Sequence, residues 1–153
     1  MTVLRLEHIG IVVDDLAAAT AFFSALGLEL EGKASVDGDA VDRINGLDGV
    51  RADVVILRTP DGHGKIELAK YHEPTYRGPG SAEGAAGAAG PPANTPGLRH
   101  VLFAVDDIEA SLAALQAHGG TLVGELVNYE NVYRLCYMHG PAGVIVELAE
   151  KIG

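Results

Sequence analysis

Leu6-Glu7-His8-Ile9-Gly10-Ile11-Val12-Val13-Asp14-Asp15-Leu16 and Leu98-Arg99-His100-Val101-Leu102-Phe103-Ala104-Val105-Asp106-Asp107-Ile108 are the same sentence written twice, 92 residues apart. Each begins with a histidine, runs through a β-branched, strand-like stretch, and closes on Asp-Asp and a branched apolar residue. At the same offset Phe23 falls on Leu115 and Gly27 on Gly119. Self-similarity of this length marks a duplicated unit and decides the fold before any single element is assigned.

The stretch at 6–13 reads as a strand, short and apolar at nearly every position. Asp14 is placed to cap a helix starting at Asp15, with Leu16, Ala19, Phe23 and Leu26 on its inward face and Gly27 ending it. Strands near 28–36, 50–58 and 65–71 follow, with Pro60-Asp61-Gly62-His63-Gly64 as the last turn. The second copy runs in the same order. A strand covers 98–105, and Asp106 caps a helix that turns Ile108, Leu112 and Leu115 inward. Strands at 121–127, 132–138 and 143–150 complete it. The chain thus divides into a βαβββ module at 1–74, a Gly/Ala/Pro-rich connector at 75–97 and a second βαβββ module at 98–153. The connector has little to bury and no period, as befits a linker between units.

A chain of 153 residues, nearly half of them hydrophobic, buries roughly 70% of its unfolded surface and stands without disulfide or structural metal. A formal net charge of −10 argues against nucleic acid or an anionic membrane surface as partner. Cys136 is the single cysteine and cannot close an internal disulfide. The N-terminal residues have neither the charge pattern nor the apolar core of a signal peptide, and no apolar run approaches the roughly 20 residues that span a bilayer. A cytoplasmic protein is the expectation.

The last strands also match, Ile66-Glu67-Leu68-Ala69 against Val146-Glu147-Leu148-Ala149. Strand alternation sets His8 with Gly10 and Val12, opposite Ile9, Ile11 and Val13, and sets His100 with Leu102 and Ala104. Glu67 and Glu147 each sit between inward apolar neighbours. All four polar side chains are therefore expected on the face away from the helices. An ionised carboxylate in an apolar strand is costly unless paired or bound to a cation. Two imidazoles and two carboxylates at duplicated positions suit a divalent metal with coordination sites left for water or substrate.

With His8, Glu67, His100 and Glu147 on this duplicated plan, the chain resembles the vicinal oxygen chelate superfamily, the group of glyoxalase I, methylmalonyl-CoA epimerase, extradiol dioxygenases and the bleomycin and fosfomycin resistance proteins. The resemblance implies an α+β fold in which two tandem βαβββ modules form a curled mixed sheet around a metal cavity, helices outside. It implies one divalent ion per site (Ni, Co, Mn, Zn or Fe) and a homodimer. A ligand at Glu67 is similar to glyoxalase I and the epimerases; extradiol dioxygenases leave that position without one. The implied activity is that of a metal-dependent isomerase, lyase or epimerase moving a proton beside a carbonyl through a metal-bound enediolate, on a small carbonyl or thioester substrate. Glu147, at the position of the usual base in those enzymes, and Glu67 are the implied catalytic carboxylates. An Fe(II)-dependent extradiol-type dioxygenase and a non-enzymatic antibiotic-binding protein are the alternatives. Tyr129, Tyr133 and Arg134, on or before the seventh strand, are candidates for substrate contact.

Overall fold

Two parallel strand pairings hold the duplicated stretches in place. In the computed structural model, which describes residues 1–77 and 90–153, β1 (Ile9–Val12) runs parallel to β4 (Lys65–Glu73), with Gly10 beside Glu67. In the second copy β5 (His100–Val105) runs parallel to β9 (Ile145–Lys151), with Leu102 beside Glu147. Between β1 and β4 the chain makes α1 (Leu16–Ala25), β2 (Glu29–Asp37), α2 (Asp39–Asn45) and β3 (Arg51–Arg58). Between β5 and β9 it makes α3 (Ile108–Ala117), β6 (Thr121–Leu122), β7 (Val127–Tyr129) and β8 (Tyr133–His139). The strands form two mixed sheets, β1-β4-β3-β2 and β5-β9-β8-β6 with β7 also on β8. The fold class is α+β with tandem modules, as expected, and the chain separates into two units, Met1–Glu83 and Gly84–Gly153. Residues 78–89, the middle of the expected connector, lie outside the described residues.

α1 and α3 each cover one face of their own sheet. α1 packs on β3 and β4, and Phe22, Phe23, Val55, Leu57, Ile66 and Leu68 are buried there. α3 packs on β9, with Ile108, Leu115, Cys136, Met138, Val146 and Leu148 buried. Along β5 exposure alternates residue by residue, so His100, Leu102 and Ala104 face away from the helix. Burial holds the Cys136 thiol above its ordinary pKa. The side chain packs as a small hydrophobe.

Four details correct the sequence expectations. The helix caps are one residue later than expected: Asp15 accepts from the Ala18 amide at 2.9 Å, and Asp107 from the Ala110 amide at 2.9 Å. Both take extended backbone, the conformation a capping residue needs for its carboxylate to reach back to the first turn. β1 starts at Ile9 rather than residue 6, because its partner β4 starts only at Lys65. Leu6 is left exposed. α2 was not expected. Gly46 closes it with positive φ, and the Asp42 carboxylate accepts from the Gly49 and Val50 amides at 2.9 and 2.8 Å, turning the chain into β3. The single strand expected at 121–127 is two, β6 and β7, both paired with β8.

Candidate metal centre

The first module builds its pair from an edge and a centre. β1 is the edge strand of its sheet, and His8 stands just before it; β4 lies between β1 and β3. Cα partners across parallel strands share a face, so the Gly10–Glu67 register puts Glu67 on the face of Gly10 and His8. Glycine at position 10 leaves nothing standing between the two side chains. His8 Nε2 is 3.8 Å from Glu67 Oε2, with the side chains 40% and 32% exposed.

The second module repeats this more tightly. Leu102 beside Glu147 sets the same parity, and His100 Nε2 is 3.3 Å from Glu147 Oε2. His100 is 43% exposed and Glu147 only 12%. Histidine and glutamate are 59 residues apart in the first copy and 47 in the second, and the longer spacing accommodates α2.

The donor chemistry fits a divalent cation. Two ligands held about 2.1 Å from one ion sit roughly 3.0–3.4 Å from each other. The His100–Glu147 pair already has that separation, and the His8–Glu67 pair is a few tenths of an ångström wider. Neutral imidazole and carboxylate are the donors that Zn, Ni, Co, Mn and Fe(II) accept. Among the described residues no three His, Cys, Asp or Glu side chains form a ready-made cluster, so each module offers two donors. Lys65, two residues before Glu67, would oppose a cation were it free. Glu31 at 3.1 Å and Glu7 at 3.5 Å neutralise it, and the Glu31 contact in particular raises its pKa.

The other expected site residues separate. Tyr129 and Tyr133 face one another across the hairpin turn Glu130-Asn131, where both turn residues have positive φ, and both rings are exposed. Arg134 lies beside Glu150 on β9, on the side of the sheet that carries α3. Its Nη2 meets Glu109 at 2.6 Å and its Nη1 meets Glu150 at 3.7 Å. Glu150 in turn accepts from the first amide of α3, that of Ile108, at 3.1 Å. Arg134 thus clamps the helix, on the opposite face from Glu147.

One residue on the His100–Glu147 face has no place among the sequence-derived candidates. Tyr137 stands directly opposite Glu147 on β8, and its ring lies 5.2 Å from the His100 ring, tilted by 34°. Its signal was the ten-residue antiparallel spacing to Glu147 around the Gly140–Gly143 turn, legible only once the register is known. A second ionic cluster lies in the first module: Ser35 Oγ donates to Asp53 at 2.6 Å, and His72 Nε2 is 2.7 Å from the other carboxylate oxygen. Those two contacts, Ser35 first, hold the Asp53 carboxyl below its ordinary pKa.

Residues 5–148 match the profile of the Glyoxalase/Bleomycin resistance protein/Dioxygenase superfamily. Among solved structures, a glyoxalase family protein from Bacillus cereus is similar, with 40% identity, a TM-score of 0.88 and coverage of 100% of this chain and 97% of that one. The protein YaeR of Escherichia coli (strain K12) is 29% identical over 148 residues, 96% of each chain. An antibiotic binding protein from Streptomyces sp. CB03234, TnmS3, shares the fold at 19% identity and a TM-score of 0.57, covering 99% of this chain and 98% of that one.

Proposed function

Because the chain belongs to the Glyoxalase/Bleomycin resistance protein/Dioxygenase superfamily, we propose that it is a metal-dependent isomerase or lyase of the glyoxalase type, moving a proton on the carbon next to a carbonyl. The observation that carries this reading is the second carboxylate. Glu67 stands beside His8 on the same face, as Glu147 stands beside His100, so each module carries a carboxylate next to its histidine. A dioxygenase-like set would lack the one at Glu67.

In this reading His8 with Glu67, and His100 with Glu147, are the residues that would supply donors to a divalent ion. When bound, such an ion supplies a Lewis acid that stabilises negative charge on a substrate oxygen. The protein's own residues do the rest. The two imidazoles contribute neutral donors through Nε2, so only the two carboxylates offset the ion's charge, and protonation of one of them leaves positive charge at the centre for an anionic oxygen. Glu147 accepts the carbon-bound proton and returns it. It is the more sheltered of the two carboxylates, so water competes less for that proton. Glu67 is the more open and serves as ligand. The substrate is a small carbonyl compound or thioester.

The test is metal uptake. Purified protein stripped with chelator and offered Co²⁺ or Ni²⁺ is expected to retain about one ion per chain and to melt at higher temperature when loaded, through linkage. Elemental analysis finding no ion with any of Ni²⁺, Co²⁺, Mn²⁺, Zn²⁺ or Fe²⁺ would end this reading. Turnover that consumes O₂ would replace it with an oxygenase.

A further inference from the structure

We propose that Tyr137 is a positioning residue that fixes the plane of the His100 imidazole, so that the second module presents a preset His100–Glu147 pair; the role toward a cation rests on the metal-centre reading above, the ring contact does not. His100 is the first residue of β5, an edge strand, and its side chain is 43% exposed. Among the described residues no strand pairs with β5 on its outer side, so the neighbouring strand β9 alone does not fix the plane of the ring. Tyr137 belongs to β8, with β9 lying between it and β5. From its place opposite Glu147 its ring reaches diagonally over β9 to the imidazole, giving the 5.2 Å, 34° contact. Aromatic side chains are long enough for such diagonal contacts, and offset pairs of this spacing are favourable. The same phenol borders Glu147, so one ring flanks both members of the pair.

The first module supplies an internal control. Ile56 occupies the equivalent register position, opposite Glu67, and an aliphatic side chain offers His8 no ring to stack on. The pair without the aromatic is the wider one, 3.8 Å against 3.3 Å. Hydrogen-bonding partners that orient a metal-binding histidine contribute on the order of 10–100-fold to metal affinity, and a ring contact acting on the same orientation is expected at the lower end of that range. Tyr137 is suited to that through its ring face and not through its hydroxyl.

The test compares Tyr137→Phe, which keeps the ring, with Tyr137→Ile, which gives the second module what the first has. Tyr137→Leu serves if the isoleucine variant fails to fold. In the metal-free protein the His100 Cε1–H signal, assigned by its loss in His100→Gln, is expected to carry a ring-current shift that persists in the phenylalanine variant and collapses in the aliphatic one. Co²⁺ titration by calorimetry is expected to show affinity near the parent for Tyr137→Phe and a loss of about tenfold or more for Tyr137→Ile, with metal-free melting temperatures matched. A His100 signal indifferent to Tyr137→Ile would overturn the proposal. So would a phenylalanine variant as weak as the isoleucine one, which would assign the effect to the hydroxyl. Failure of the parent to bind any Co²⁺ would sink the metal-centre reading alone, while the His100 signal still decides whether Tyr137 positions the ring.

Discussion

Glu67 and Glu147 are chemically identical and differ only in what surrounds them, which is where the roles proposed for them divide. Glu147 is flanked by Tyr137 on β8 and Leu102 on β5, while Glu67 has Ile56 and Gly10 in those places. A bare glycine on one side leaves Glu67 open to water; two large side chains shelter Glu147. Replacing each by glutamine keeps volume and one weak oxygen donor but removes the basic carboxylate. Glu147→Gln is expected to lower turnover by roughly 10²–10⁴, the usual contribution of a general base, at metal content matched to the parent. Glu67→Gln is expected to retain more. Solvent-deuterium incorporation into substrate reads the difference directly, and faster exchange in Glu147→Gln than in Glu67→Gln would reverse the assignment. That histidine and glutamate were the residues to watch was legible from the duplication, since both recur in corresponding places. Tyr137 was not legible, because its counterpart Ile56 is aliphatic and no repeat singles it out.

At the scale of elements, each module depends on a strand-to-helix corner in which one of two adjacent aspartates caps the helix. Asp15 and Asp107 each accept from the amide three residues on, at 2.9 Å, while Asp14 and Asp106 make no such contact among the described hydrogen bonds. Asp15→Ala and Asp107→Ala are each expected to cost about 1 kcal/mol, the usual value of an N-cap, read as a lower urea midpoint. Asp14→Ala and Asp106→Ala should leave the midpoint nearly unchanged. Equal losses from both members of a pair would show that the Asp-Asp step acts through charge at the helix N-terminus instead of through the cap. Pattern alone cannot choose between neighbouring aspartates: the choice falls to whichever residue is still extended when the strand ends, and the strand ends where its partner does.

For the molecule as a whole, the surfaces left over suggest what it does with a second copy. β1 and β5 are edge strands. On the faces away from the helices, Val12 beyond His8 and Leu102 beyond His100 remain exposed, at 59% and 49%. Unpaired edges with apolar side chains beside them are surfaces that proteins cover. A homodimer is expected, sedimenting at about twice the 15.9 kDa chain mass at micromolar concentration. A species of single-chain mass throughout that range would contradict it. Among the described residues no helix is long and apolar enough to cross a membrane, in line with the short apolar runs of the sequence.

By itself the sequence determined the duplication, the α+β class, the order of most elements and the identity of the two His–Glu pairs, because each of these is written in local periodicity or in repetition at a fixed offset. Strand alternation even set the face on which His8, His100 and their glutamates stand. The tertiary structure decided what depends on partners. It set the length of β1 through the start of β4, and it replaced the single strand expected at 121–127 with two, β6 and β7, along β8. It also turned Arg134 toward α3 and brought Tyr137 over the His100 ring. α2 belongs with these: its seven residues give too short a period to be read alone, and the turn after it is held by the Asp42 carboxylate reaching two amides across the loop. Contacts between residues on different strands have no period along the chain, so only the register could reveal them.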